Sequence, residues 1–351
     1  MTNLKRIVIY NLETDLNSHV LAAAHDWIES FAKYFDEVVV YSTHVGRMDL
    51  PSNVIVREIG GGSATKKAIA VTRLLKSVVR EIPKRRRLTV FHHMSTRSLL
   101  ITGVFYKLMG VKQGLWYSHS KKSISLKASY KFADRIFTST PGAIPISGAR
   151  VKYVGHGIKS RRFLTDSLSL SKKRDGIVVL GRLAPVKNIE SLIDAVSISG
   201  VANIRITCLG PTDNTSKYSE NLLKQAKKNS VPLIFKKAIP YSEIPYALSQ
   251  FDLIFTGTPK SVDKAVIEGA LSGCFVISKE EQAIKLTGMS CVFKALGFES
   301  IPTVDKQIIL LSQISKMKRE RLRLILRSKA AEINDVDKTI QRILYELDFT
   351  S

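Results

Sequence analysis

The sequence predicts an α/β chain of two doubly wound, Rossmann-like domains facing a cleft. Three observations predict it. Short apolar runs alternate with segments of helical spacing, and this alternation restarts after a looser stretch around Val151–Ser171. The length, 351 residues, suits two domains of ordinary size.

In the first half, Ile7–Tyr10 reads as a buried strand and Val20–Phe35 as a helix. Val38–Tyr41 and Val54–Ile59 are strands, and Ala68–Ile82 is a basic helix. Leu88–Phe91 is a strand, Leu99–Met109 a helix, Gln113–Tyr117 a strand, Ile124–Phe132 a helix and Ile136–Thr138 a strand. Gly155, Gly157 and the polar run Asp166–Lys173 read as an inter-domain connection. Strands follow at Ile177–Leu180, Ile204–Leu209, Leu233–Phe235, Leu253–Phe255 and Phe275–Ser278. Helices between them fall at 189–199, Ser219–Lys228, Ile244–Gln250 and Lys264–Ser272. From Val304 onward the pattern is helical and cationic. The expected domains are 1–165 and 166–335, with a C-terminal helix, 336–351, free to return to the first domain.

The chain is 44% hydrophobic, ample for packed cores. Cys208, Cys274 and Cys291 are far apart and have no ligand spacing, so neither a disulfide framework nor a zinc site is indicated. The N-terminal apolar run is too short for a signal peptide, and no run is long enough to span a membrane. A cytoplasmic protein is expected. Net charge is +24. Residues 1–165 carry +17 of it and residues 166–351 only +7. Anionic partners follow: nucleic acid, an acidic membrane surface or a phosphorylated substrate.

Ile177–Leu180 stops at Gly181. Arg182 and Lys187 flank a proline, and Asn188 opens a helical pattern. A strand, a glycine turn and cations at a helix N-terminus can hold a diphosphate. An ordinary βα turn with solvated cations is the alternative. About 80 residues on, a polar loop after Leu253–Phe255 leads into a helix starting near Asp263. Lys264 and Glu268 share one face of it. They read either as a surface ion pair or as a cation for phosphate and a carboxylate for a vicinal diol.

Together these segments resemble the retaining, nucleotide-sugar-dependent glycosyltransferases of family 4, which have the GT-B fold. The resemblance spans essentially the whole chain. It implies that Arg182 and Lys187 clamp the donor diphosphate and that Glu268 holds the ribose. The family's second glutamate, eight residues before the ribose-binding one, is replaced by Lys260. Asp263 can stand in for that carboxylate, or Lys264 can add a phosphate contact. The resemblance also implies that His119, after Leu115–Ser118, contacts the donor sugar. His92 and His93 read as structural or acceptor-side, and His156 as part of a linker turn. The loop Asn11–Ser18 lacks the usual glycines, so Asp15 or Asn17 is assigned to the acceptor side. Gly60–Gly62 reads as a flexible loop.

The basic helix reads as an amphipathic core helix whose Lys66, Lys67, Arg73, Lys76 and Arg80, with Lys84–Arg87 after it, can meet anionic lipid headgroups. Asp335-Val336-Asp337 imitates a metal motif of another fold but reads as helix capping. No metal and no cofactor are expected. The expected activity is hexosyl transfer from a nucleoside diphosphate to a hydroxyl acceptor, saccharide or lipid-linked, in surface polysaccharide or lipopolysaccharide assembly. Expected location is the cytoplasm, with peripheral contact at the inner membrane face. The alternatives are a basic nucleic-acid-binding protein, which lacks any nucleic-acid motif here, and a catalytically inactive glycosyltransferase-like binding protein.

Overall fold

A computed structural model describes residues 4–18, 21–60, 64–119, 122–164, 174–211, 216–259 and 262–348. The chain divides into two compact units: Met1–Lys159 with Val336–Ser351, and Ser160–Asp335.

The first unit is a parallel seven-stranded sheet in the order β3-β2-β1-β4-β5-β6-β7. Its strands are β1 Arg6–Thr14, β2 Glu37–Val45, β3 Val54–Glu58, β4 Leu88–His93, β5 Lys112–Trp116, β6 Arg135–Thr138 and β7 Val151–Tyr153. Its helices are α1 Ala23–Ala32, α2 Ala64–Glu81, α3 Thr96–Leu108, α4 Ile124–Ser129 and, from the chain's other end, α13 Val336–Glu346. Helices cover both faces, which is why the strands read as unbroken apolar runs. Ile7, Ile9, Val38 and Val40 face one side, with Trp27 and Phe31 of α1 and Ile340 and Ile343 of α13. Val8, Tyr10, Val39 and Tyr41 face the other, with Leu74 and Val78 of α2 and Tyr106 of α3. Trp27 is also pinned at its edge. Its Nε1–H donates to the Gly157 carbonyl at 2.8 Å, and a Cβ on Gly157, which holds φ +62°, would strike the indole at Cζ2, so there is no room for one.

Some expectations need correction. β1 runs to Thr14, so Asn11–Thr14 is strand rather than loop; Glu13 and Thr14 pair in register with His44 and Val45. The helix expected from Val20 is seen from Ala23 to Ala32, and Val20 lies outside the described residues. β7 opens the stretch where the pattern loosens; three residues are too few for a periodicity to register. The polar run Asp166–Lys173 lies outside the described residues. The apolar series of the basic helix is not all core. Leu74 and Val78 are buried, but Ile69, Leu75 and Val79 are exposed.

The second unit is a parallel five-stranded sheet, β10-β9-β8-β11-β12. The order of elements is β8 Ile177–Leu180, α5 Ile189–Ser199, β9 Ile206–Leu209, α6 Lys217–Lys228, β10 Leu233–Lys236, α7 Ile244–Leu248, β11 Leu253–Phe255, α8 Lys264–Leu271 and β12 Phe275–Ile277. Then come α9 Glu281–Thr287, α10 Met289–Ala295, α11 Val304–Ser312 and α12 Lys316–Asn334. Arginines close the C-terminal end of α8: Arg174 donates to the Ser272 carbonyl at 2.8 Å and Arg327 to that of Leu271 at 3.0 Å. They satisfy orphan carbonyls at the negative end of the helix dipole. No helix among the described residues is long and apolar enough to cross a membrane.

Candidate functional site

The described residues assigned to donor and acceptor follow the carboxyl ends of strands: Asp15 and Asn17 after β1, His119 after β5, Arg182 and Lys187 after β8, and Asp263, Lys264 and Glu268 after β11. In the second unit, Gly181, Gly210 and Gly257 follow the ends of β8, β9 and β11 and crowd together. A Cβ on Gly210 would strike the Gly181 carbonyl, and one on Gly257 would lie 2.7 Å from the Lys187 carbonyl oxygen. Gly181 holds φ +115°, which L side chains rarely adopt. The chain then makes a short 3₁₀ turn, Pro185–Lys187, and Asn188, left-handed at φ +51°, leads into α5.

That turn brings Lys187 back over the glycine corner, with Nζ 3.5 Å from where a Gly181 Cβ would stand. Lys187 also reaches α8. Its Nζ donates to Asp263 Oδ2 at 2.7 Å, and the Thr258 hydroxyl donates to the same oxygen at 2.7 Å. Arg182 is exposed. The turn after β8 and the start of α8 are thus tied together by one ion pair. Lys260, where the family's second glutamate would stand, lies outside the described residues.

One turn into α8, Lys264 and Glu268 are joined, as their spacing allows, with Nζ to Oε1 at 3.2 Å. The pair is not the surface one weighed from sequence: Glu268 is only 4% exposed. A third residue, unsuspected from sequence, completes it. The Tyr241 hydroxyl donates to Glu268 Oε1 at 2.9 Å and accepts from Lys264 Nζ at 2.8 Å. The Arg162 guanidinium lies over the same ring, 4.8 Å from its centroid. Burial, and then the Glu268 charge, push the Tyr241 phenol up to about 12, so it keeps its proton and donates. Burial alone would lower Lys264, but Tyr241 and Glu268 outweigh it and its pKa is raised. Only an aromatic residue in a turn marked Tyr241 in the sequence, and its partners lie 23 and 27 positions away.

In the first unit, His119 is exposed and follows β5 by three residues. Asp15 stands just beyond β1. Its Oδ1 accepts from the backbone N–H of Asn17 at 2.9 Å and of Arg47 at 3.1 Å, so it ties the β1 loop to the end of β2. Asn17 is exposed. His92 and His93 end β4. His92 Nδ1 is hydrogen-bonded to Ser98 Oγ at 2.8 Å. His93 Nδ1 donates to the Asn11 side-chain oxygen at 3.1 Å. Burial drives both rings down, to about 3 and about 4, so they are neutral.

Among the described residues two groups could bring three metal-ligating atoms together: Glu13, Asp15 and His44, and His25, Asp26 and Glu29. Intramolecular bonds already use several of these atoms. Lys159 Nζ lies 2.6 Å from Glu29 and 3.9 Å from Asp26, and His25 Nε2 accepts from the Asp49 N–H. Of the two aspartates read as helix capping, Asp337 lies in the first turn of α13 and accepts from the Ser30 hydroxyl at 2.6 Å and from Lys33 at 2.7 Å.

No protein-family model and no curated protein matches the chain. Solved structures do. HepE from Anabaena, in complex with UDP and glucose, superposes with a TM-score of 0.66 at 14% identity, covering 98% of this chain and 99% of that one. A glycosyltransferase from Rickettsia africae gives 0.69 at 12%, covering 98% of each. WaaG, a glycosyltransferase involved in lipopolysaccharide biosynthesis, gives 0.55 at 12%, covering 96% and 98%. At these identities the likeness speaks for the fold: this is a GT-B chain of two Rossmann-like α/β domains.

Proposed function

We propose that the protein is a glycosyltransferase moving a sugar, with retention, from a nucleoside diphosphate to a hydroxyl acceptor. The observation that carries this reading is the glycine corner after β8, which Lys187 covers and Arg182 follows in sequence, and which one ion pair ties to the start of the helix that carries Glu268. Backbone N–H groups at the start of α5 and the two cations would take the charge that builds on the departing diphosphate. Glu268 would accept from the ribose, and Asp263 would hold Lys187 in reach of the phosphates. His119 would orient the sugar, and Asp15 or Asn17 would face the acceptor. The bond from sugar C1 to the diphosphate oxygen breaks, and the acceptor oxygen bonds C1 on the same face. The acceptor's proton leaves with the diphosphate. The nucleotide sugar is a substrate, and no further cofactor is invoked. HepE, solved with UDP-glucose, makes a UDP-hexose the first donor to try.

Thermal-shift titration with UDP, GDP and ADP, followed by transfer assays on the stabilising donor, tests this reading. Glu268→Ala and Lys187→Ala should each reduce transfer at least tenfold with an unchanged circular dichroism spectrum. Full activity in both would overturn it.

A second surface supports a lipid-linked acceptor at the inner face of a membrane. From residue 64 to residue 131 the chain has sixteen Lys and Arg and a single acid, Glu81. That acid is buried against Arg6. The helices of this stretch, α2, α3 and α4, leave large apolar side chains exposed among the cations: Val79 64%, Leu108 83% and Ile124 89%. Cations draw such a layer to anionic headgroups, and apolar side chains enter the acyl boundary, which nucleic acid does not offer. Co-sedimentation should show binding to phosphatidylglycerol-containing vesicles and not to phosphatidylcholine alone, with the L108S/I124S variant weakened. Tighter retention of nucleic acid than of these vesicles, at physiological salt, would overturn the lipid assignment.

A further inference from the structure

We propose that Lys264 and Glu268, held in place by Tyr241, form a donor–acceptor pair for a vicinal diol, and that Lys264 serves this diol rather than the diphosphate. The inference rests on the nucleotide reading above and assigns the diol to the ribose of the donor.

Three groups close a small ring. Lys264 Nζ donates to the Tyr241 oxygen, Tyr241 O–H donates to Glu268 Oε1, and Lys264 Nζ stands 3.2 Å from that same Oε1. One carboxylate oxygen is therefore saturated. The other, Oε2, has no hydrogen bond among the described residues. An ammonium carries three N–H groups, and the ring uses two of them. What remains is one acceptor, Oε2, and one donor, the third Lys264 N–H, on neighbouring atoms. A vicinal diol presents the complement: one hydroxyl donates to Oε2 while the next accepts from Nζ.

A diphosphate fits this spot less well. Glu268 is buried and fixed by Tyr241, whose ring is itself held under Arg162, so the carboxylate cannot swing away from an arriving anion. The cation at the glycine corner is differently placed. The Asp263 carboxylate that pairs with Lys187 is 28% exposed, and Arg182, next to Gly181 in the sequence, has no ion pair among the described residues. Tyr241 has a separate duty. Without its hydroxyl, Lys264 is free to chelate both oxygens of Glu268 and close Oε2.

The test separates the two assignments by binding ratios. UDP, UMP, 2′-deoxy-UDP and 3′-deoxy-UDP are titrated calorimetrically into the full chain, wild type and variants, each checked by circular dichroism. Wild type should favour UDP over the deoxy analogues by about tenfold or more, because a missing hydroxyl leaves a buried polar partner unpaired. Lys264→Met should bring that ratio close to one for at least one analogue and leave the UDP-to-UMP ratio unchanged. Tyr241→Phe should lower the deoxy discrimination several-fold while the lysine is still present. Lys187→Ala should do the reverse, collapsing the UDP-to-UMP ratio and keeping discrimination among the sugars. If Lys264→Met collapses the UDP-to-UMP ratio and spares the deoxy discrimination, Lys264 is a phosphate ligand and the inference is overturned. Wild type that binds UDP without distinguishing the deoxy analogues also overturns it, while leaving the nucleotide reading intact. Wild type that binds none of UDP, GDP and ADP removes the nucleotide reading itself.

Discussion

Lys187 and Asp263, 76 positions apart, are joined by a 2.7 Å ion pair that links the turn after β8 to the first residue before α8. The two segments that stand out in the sequence thus share one charge contact. Lys187→Ala breaks it and removes a cation from the glycine corner. Loss of one charge-assisted contact to phosphate weakens nucleoside diphosphate binding about 10- to 100-fold, readable by calorimetry. Asp263→Asn keeps the lysine and should cost less than Lys187→Ala. A larger cost would mean that Asp263 meets the donor directly.

The glycine corner makes its own prediction. Gly210→Ala drives a methyl group into the Gly181 carbonyl. Backbone must yield there, at a cost of about 1–3 kcal/mol. The melting temperature should fall and nucleotide affinity with it, because Gly181 underlies Lys187. Gly200→Ala serves as the comparison: its φ is also positive, at +63°, but nothing lies within 4 Å of the added methyl. It should lose some stability without losing affinity.

Arg6 and Glu81 form a buried pair across the first unit, Nε to Oε2 at 2.7 Å and Nη2 to Oε1 at 3.1 Å. Arg6→Met leaves Glu81 buried and charged, at a cost of about 3–5 kcal/mol. Denaturant unfolding should show a lower midpoint, and the double variant Arg6→Met with Glu81→Gln should recover part of it.

His92 and His93 give the fold a pH dependence of definite sign. Their folded-state pKa values, about 3 and about 4, lie below the ordinary histidine value of 6.5. The unfolded chain therefore binds protons that the folded chain refuses. Stability is fully present above pH 6.5 and declines as pH falls from there toward 4. The slope approaches about 1.4 kcal/mol per pH unit for each histidine. His93→Gln should flatten the curve of melting temperature against pH over that window. An unchanged curve would show that other groups set it.

Much of the fold was legible because parallel strands covered on both faces must be apolar without interruption; Ile7–Tyr10, Val38–Tyr41 and Ile177–Leu180 announce themselves this way. The helix at 189–199 was readable from spacing, and so was the approach of Lys264 to Glu268, four residues apart. Tyr241 was not, because its role comes from partners more than 20 residues away and no local pattern encodes such a meeting. β7 was too short to show a period. The exposure of Ile69, Leu75 and Val79 was hidden for another reason. An apolar residue looks the same in a sequence whether it faces the sheet or the surface.

The first unit takes its core from both ends of the described chain. Ile340, Ile343, Leu344 and Leu347 pack beside Trp27 and Phe31, with all of the second unit lying between them in sequence. On the ribosome, residues 1–159 emerge long before residues 336–347. During that interval one face of the first sheet has α1 on it and an empty furrow beside α1. Domains usually fold in the order in which they are made; here the second can be finished before the first. Until α13 arrives, that furrow is an apolar surface for a chaperone to cover, and a chain cut after residue 335 should keep it open, soluble only while something else fills it.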